Sequence, residues 1–346
     1  MERKNKAIIF GLIILIGITV LGLNYFEQDT SSADVVATFY PFYTITEQIA
    51  GESVEVSSLV PPGTEPHSFE LSPSDRRKVQ EADVFVATGV SFEAWEDNIV
   101  ESIEGEVRTV NSSKGIELIP ADQTPSHSHD HEDEHYDEHE DEHHDEHHDE
   151  HEDEHHDEHH DDHEDEHSHD HHHGEYDPHY WVSPKNAQII AENVFEALVE
   201  EYPEKEEKLT ANYEEFVSEL GVLETTFSEG LENCEKDVII TTHAAFAYLG
   251  NDYGFEQAPI HGLSPLSEPS PSQIQGLVDL AEDHGLEYVF YEEMVDPRVS
   301  ENIAEQAGVD TLVLNPVAGT VGDIEEFIPI MENNYENLVK ALECDR

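Results

Sequence analysis

Twenty of the chain's 25 histidines crowd into residues 127–175, and the other five, His67, His179, His243, His261 and His284, stand in ordinary sequence. Three of the five share a setting. His67 lies in GTEPHSFE, a loop after an expected strand; His179 lies in DPHYW, just ahead of a capped helix; His243 closes the apolar run IITTH. In parallel α/β folds ligand-binding residues gather at the carboxyl ends of strands, so two such ends facing one another would bring three imidazoles together. Three neutral imidazoles plus a carboxylate or water make a tetrahedral zinc environment, with nitrogens about 2.0–2.1 Å from the ion; carboxylate-rich sets suit manganese instead. Each residue also has a plainer reading, His67 as a loop residue and His243 as a buried ring bonded to backbone. His284, before Gly285 at a helix end, reads as a cap that offsets the helix dipole, and His261, ahead of GLSP, is left open. Pro66 and Pro178 each precede a candidate ligand and restrict the backbone there.

The crowded segment is a repeat. His131, His135, His139, His143, His147, His151, His155, His159, His163, His167 and His171 recur every four residues, separated mostly by Asp/Glu pairs and second histidines. On a helix this spacing makes successive imidazoles neighbours. Residues 127–175 also carry 25 acids with no Lys or Arg, and that repulsion argues for disorder unless metal or protons bind. The segment reads as a solvated linker or as a low-affinity metal-collecting loop; its histidine density favours the second, since imidazole suits zinc, copper or nickel.

Over the whole chain of 346 residues, 15 Lys and Arg face 81 Asp and Glu, a formal net charge of −66, and 56 of those acids lie outside the repeat. Such a polyanion excludes nucleic-acid partners bound through their phosphates and makes a monomer the default. Arg3, Lys4 and Lys6 precede an uncharged apolar run over residues 7–23. Residues 1–30 therefore read as an export signal or membrane anchor, with everything after them extracytoplasmic, at the cell surface or in a periplasm-like space. No lipobox cysteine is present. Cys234 and Cys344, 110 residues apart, fit no cysteine zinc motif; an oxidising compartment permits a disulfide, and the sequence leaves the pairing open.

The elements that would position the histidines alternate in type. Apolar strands at 35–40, 53–60 and 84–88 are separated by helices, and strands at 238–243, 288–292 and 311–315 alternate with helices at 270–284, 300–307 and 323–342. That alternation predicts an α/β fold with parallel-rich sheets. Ser183 and Pro184 open a helix to about residue 200. A further helix over 203–233 shows Leu209, Tyr213, Phe216, Leu220 and Leu223 at spacings of three and four. The expected organisation is an N-terminal lobe at 34–202 carrying the 127–175 insertion, a linking helix at 203–233, and a C-terminal lobe at 236–346.

The ordered motifs VVATFYPFYTITEQIAG, LVPPGTEPHSFELSPSD, ADVFVATG, the His/acid segment, DPHYWVSPKNA, THAAFAYL, GLSPLSEPSPSQI and YVFYEE resemble the zinc/manganese substrate-binding proteins of ABC importers, in their zinc-binding ZnuA-like group. The resemblance runs over residues 34 to 342. It implies two α/β lobes bridged by a rigid long helix, with the metal at the lobe interface on His67, His179 and His243. It also implies Zn(II) as transported ligand, no organic cofactor, and partnership with an ABC permease and its cytoplasmic ATPase. Three features depart from the family pattern: HDAF has become His243-Ala244-Ala245-Phe246, Asn315 stands where relatives often place an aspartate, and the lipobox is missing. The fourth ligand position is accordingly expected to be water or Glu65. His rather than Glu at position 243 favours zinc over manganese. Capture and delivery of Zn(II) without a catalytic step is the expected function. Manganese, iron or nickel transport, an extracellular metal buffer or adhesin, and a zinc hydrolase with Glu65 near its water are the alternatives.

Overall fold

The structure is a computed structural model that describes residues 33–124, 174–320 and 326–345. The apolar run at 7–23 and the repeat histidines from His131 to His171 lie outside these residues. Among the described residues no helix is long and apolar enough to cross a membrane.

Two four-stranded sheets, parallel throughout, carry the expected α/β architecture. Strands β1 (Val35–Ala37), β2 (Val56–Ser58), β3 (Val84–Ala87) and β4 (Arg108–Asn111) lie in the order β2-β1-β3-β4. Strands β5 (Val238–Thr241), β6 (Glu256–Pro259), β7 (Tyr288–Tyr291) and β8 (Asp310–Val313) repeat that plan as β6-β5-β7-β8. β1, β3 and β5 are buried along their whole length, as strands covered by helices on both faces must be. In both sheets the chain leaves the first strand to one side and returns to the other. This places a switch point, where α/β sheets hold ligands, between β1 and β3 and between β5 and β7.

The elements are shorter than the apolar runs suggest. The run at 35–40 yields three strand residues, because Pro41 in the first turn opens helix α1 (Tyr40–Ala50). Of 53–60 only β2 is extended; Gly51, with φ of 54°, ends α1 and leads into a 3-10 turn over Gly51–Ser53. After α2 (Pro73–Gln80), helix α3 (Ala94–Ile103) and edge strand β4 occupy a region whose pattern is faint, since β4 buries Val110 alone. Helix α6 (Ala247–Tyr253) and β6 are equally inconspicuous.

Helix α4 (Pro184–Glu201) starts at Ser183, whose Oγ accepts from Asn186 N–H at 3.3 Å. The long helix α5 (Glu206–Gly230) has 25 residues and spans about 37 Å. Pro203–Lys205, expected as its first turn, form a separate 3-10 turn. Leu209, Phe216, Leu220, Leu223 and Phe227 form its buried stripe, and Tyr213 stacks on Phe195 of α4 at 4.3 Å between ring centroids. Helices α7 (Pro271–His284), α8 (Arg298–Ala307) and α9 (Phe327–Ala341) complete the second half. One apolar cluster runs without a break from Phe39 and Trp181 through Leu220 to Phe246, Phe290 and Phe327, so the two sheets share a core.

Cys234, beyond the end of α5, and Cys344, beyond α9, form a disulfide. A loop of this length constrains the unfolded chain strongly. Reduction, or Cys344→Ser, is expected to lower stability by about 2–4 kcal/mol, read as a fall in Tm of the oxidised against the reduced protein; coincident melts would contradict it.

One carboxyl is buried inside the first half. Glu96 Oε1 accepts from Thr88 N–H at 2.7 Å, and its Oε2 lies 2.7 Å from Thr88 Oγ1. That hydroxyl also donates to Val90 O at 2.6 Å. One hydrogen cannot serve both contacts, so a neutral Glu96 donating to Thr88 fits the geometry. Burial pushes its pKa up to about 7. Because the folded value lies above the unfolded one, the contribution to stability is fullest below the unfolded carboxyl range and is lost as pH rises through about 7. Glu96→Gln is expected to gain about 1–3 kcal/mol at alkaline pH and to flatten the dependence of Tm on pH; a variant less stable than the parent at every pH would contradict this.

Candidate metal centre

Each candidate histidine sits where the chain turns out of regular structure. Beyond β2, Pro66–Ser68 form a 3-10 turn, and Glu65 caps it by accepting from Ser68 N–H at 2.9 Å. This turn carries His67. Tyr180–Val182 form a second 3-10 turn between Asp177 and α4, and His179 is its cap residue. His243 lies just past β5, beside Glu292 just past β7, at the switch point of the second sheet.

The structure brings His67, His179 and His243 together: one nitrogen from each ring lies within 4.8 Å of the others. Their relative exposures are 8%, 1% and 2%, which removes water as the default partner. Nε2 of His179 and Nε2 of His243 are 3.3 Å apart. Two nitrogens at tetrahedral angles around a zinc ion, each about 2.0–2.1 Å from it, are about 3.3–3.4 Å apart. Between His67 and His243 opens a cavity of about 20 Å³, enough for one ion or one water. Phe92 packs on the His67 ring at 4.6 Å and Trp181 on the His179 ring at 5.3 Å between centroids.

Every ring has its own carboxylate on the far nitrogen. Nδ1 of His67 pairs with Glu93 Oε1 at 2.8 Å, Nδ1 of His179 with Asp177 Oδ1 at 2.8 Å, and Nδ1 of His243 with Glu292 Oε1 at 2.6 Å. A carboxylate on Nδ1 keeps the proton there and leaves the Nε2 lone pair free for a metal ion. Burial lowers the His179 pKa to about 4 against the opposing pull of Asp177. Burial would lower His243 too, but the Glu292 carboxylate, supported by Glu65 and Asp177, outweighs it and raises the value.

The other candidates fall elsewhere. Glu65 lines the small cavity but is outside the nitrogen cluster, its Oε2 engaged with Ser68 N–H. Asn315 lines the cavity as well and builds a turn: its Oδ1 accepts from Val317 N–H at 2.8 Å, where Val317 takes a φ of 57°. His261 is not in the cluster; its Nδ1 is buried without a hydrogen-bond partner, and burial lowers its pKa. His284 ends α7 ahead of left-handed Gly285. The three carboxylates were missed in the sequence. Asp177 had a legible signal, two residues before its ring in DPH, whereas Glu93 and Glu292 lie 26 and 49 residues from theirs.

A family model described as zinc-uptake complex component A, periplasmic, matches residues 35–341. The high-affinity zinc uptake system protein ZnuA of Bacillus subtilis is 33% identical over 313 residues, covering 89% of this chain and 87% of that protein. The zinc-binding lipoprotein AdcA of Streptococcus pneumoniae is 30% identical over 317 residues. That alignment covers 90% of this chain but 56% of AdcA, so the chain spans little more than half the length of this relative. Among solved structures, the Zn(II)-bound ZnuA-like domain of S. pneumoniae AdcA matches with a TM-score of 0.68 at 28% identity, covering 90% of this chain and 99% of that one.

Proposed function

The chain belongs to the zinc-uptake complex component A family, and from that premise we propose that it captures Zn(II) outside the cytoplasm and hands it to the permease of an ABC importer powered by a cytoplasmic ATPase. The observation that carries this reading is the set of three buried imidazoles, each oriented by its own carboxylate. His67, His179 and His243 are the ligands, and water takes the fourth position, because Glu65 caps the turn beneath His67. A nitrogen set with no carboxylate in direct contact with the ion favours zinc over manganese.

The family is one of transport components rather than enzymes, and this chain is taken to act without catalysis. Glu93, Asp177 and Glu292 each serve a ring nitrogen, and Glu65 is engaged through Oε2 with the N–H of its own turn, an arrangement suited to orienting ligands. The His/acid segment, with His131 to His171, acts as a low-affinity collector that raises the local cation concentration around a monomeric protein. The amino-terminal segment holds or exports the chain to the outer side of the membrane.

A competitive Zn(II)/Mn(II) titration with metal analysis, run on the chain with and without residues 127–173, tests the proposal. One tight zinc site per chain that survives the deletion, with manganese far weaker, is the expected result. Loss of all tight binding with the deletion would assign the binding to the repeat and overturn the proposed centre.

A further inference from the structure

The insertion that carries the repeat joins the fold through a narrow neck. Ala121 N–H donates to Glu175 O at 3.0 Å and Asp177 N–H to Ile119 O at 2.8 Å, around an antiparallel bridge between Pro120 and Tyr176. Asp177, fully buried, has both carboxylate oxygens and its carbonyl engaged. Its Oδ1 meets Nδ1 and the backbone N–H of His179, at 2.8 and 2.9 Å. Its Oδ2 accepts from Thr124 Oγ1 at 3.1 Å, and its carbonyl accepts from the Tyr248 hydroxyl at 2.7 Å. The Tyr248 oxygen in turn accepts from Ile119 N–H at 3.0 Å. One phenol on α6, in the second half of the fold, therefore bonds both strands of the neck.

We propose that Tyr248 and Thr124 are positioning residues of the zinc site that act through Asp177; the inference rests on the zinc reading above. A carboxylate orients an imidazole only if its own plane is held. Thr124 fixes one oxygen and Tyr248 fixes the peptide that carries the side chain. Without them the carboxylate turns, and the His179 side chain swings about its Cα–Cβ bond. Nε2 lies on the far side of the ring from that bond, so a swing displaces it strongly, and its 3.3 Å spacing from His243 Nε2 is what matches the ion. Tyr248 follows His243 by five residues, so one short segment supplies a ligand and sets the ligand opposite it. Displacement of the neck is thereby felt at His179.

The test is a double-mutant cycle on the full chain, with Zn(II) competed against a chelator that holds free zinc in the nanomolar range, and with dissociation followed by stopped flow. Tyr248→Phe and Thr124→Val are each expected to weaken zinc binding about tenfold through faster dissociation, the low end for an outer partner of a metal ligand, with one tight ion per chain retained. Added to Asp177→Ala, which leaves His179 Nδ1 without its side-chain acceptor, either change should alter affinity by less than about twofold, because the route is already broken. An equal loss in both backgrounds, or no loss from either single change, overturns the proposal. A role confined to folding would lower the melt of the zinc-free protein without changing zinc dissociation, and would overturn it too. If Tyr248→Phe misfolds, Thr124→Val carries the cycle alone. A parent chain with no tight zinc site would instead fail the zinc reading before any variant is compared.

Discussion

His67→Ala is expected to abolish high-affinity zinc binding while leaving the protein folded. Complete zinc sites are worth about 10–16 kcal/mol near neutral pH. Shared over four positions, the loss of one ligand comes to about 2.5–4 kcal/mol, or roughly 60- to 700-fold in Kd. The same substitution at His179 or His243 should remove binding as well, but with a second effect. Glu292, whose side chain is 5% exposed, would lose its partner in His243→Ala, and an orphaned buried charge costs about 3–5 kcal/mol. Glu93 is 19% exposed and can take water instead, so His67→Ala separates binding from stability best. Chelator competition, metal stoichiometry and a melt of each zinc-free variant provide the readout. His67→Ala with the parent's zinc affinity would remove this residue from the site.

Much of this arrangement is legible in the chain because the three histidines stand next to strong local signals. An apolar strand precedes His243, a proline and a capped helix flank His179, and His67 follows a proline in a turn-forming loop. The alternation of apolar runs and helices likewise predicts two parallel sheets, which the structure shows. What stays hidden is whatever depends on distance along the chain. Glu93 and Glu292 meet their rings only after folding, and Cys234 finds Cys344 across 110 residues. Edge strand β4 is obscured because three of its four side chains face solvent. Glu65 is the opposite case, a neighbour in sequence whose own bonding shows only in the structure. Adjacency to a ligand suggests coordination, yet on a 3-10 turn the cap residue's carboxylate folds back onto the turn's own N–H.

Acidification is expected to release zinc gradually, with His243 taking a proton at higher pH than His179. Zinc binds neutral imidazole, so every proton that the empty site accepts competes with the ion. Burial pulls His243 below its ordinary 6.5, but the charge and hydrogen bond of Glu292 together with the Glu65 and Asp177 charges raise it above that value. It therefore takes a proton at higher pH than a free histidine, and apparent affinity falls about tenfold per pH unit once the pH drops below that raised value. His179, lowered to about 4 by burial, stays neutral through most of that range and steepens the loss only near its end. Glu292→Gln separates the two effects of the carboxylate. Without its charge, burial governs His243, so the onset of zinc loss moves to lower pH; the amide oxygen still accepts from Nδ1–H, so affinity at alkaline pH falls by less than the roughly 10- to 100-fold that follows removal of an outer partner. General loosening of the site would weaken binding but has no reason to shift the onset downward. Zinc competition followed from about pH 8 to about pH 4 reads both. A parent profile that stays flat down to about pH 5, or an onset unmoved in Glu292→Gln, would show that His243 does not set the proton dependence.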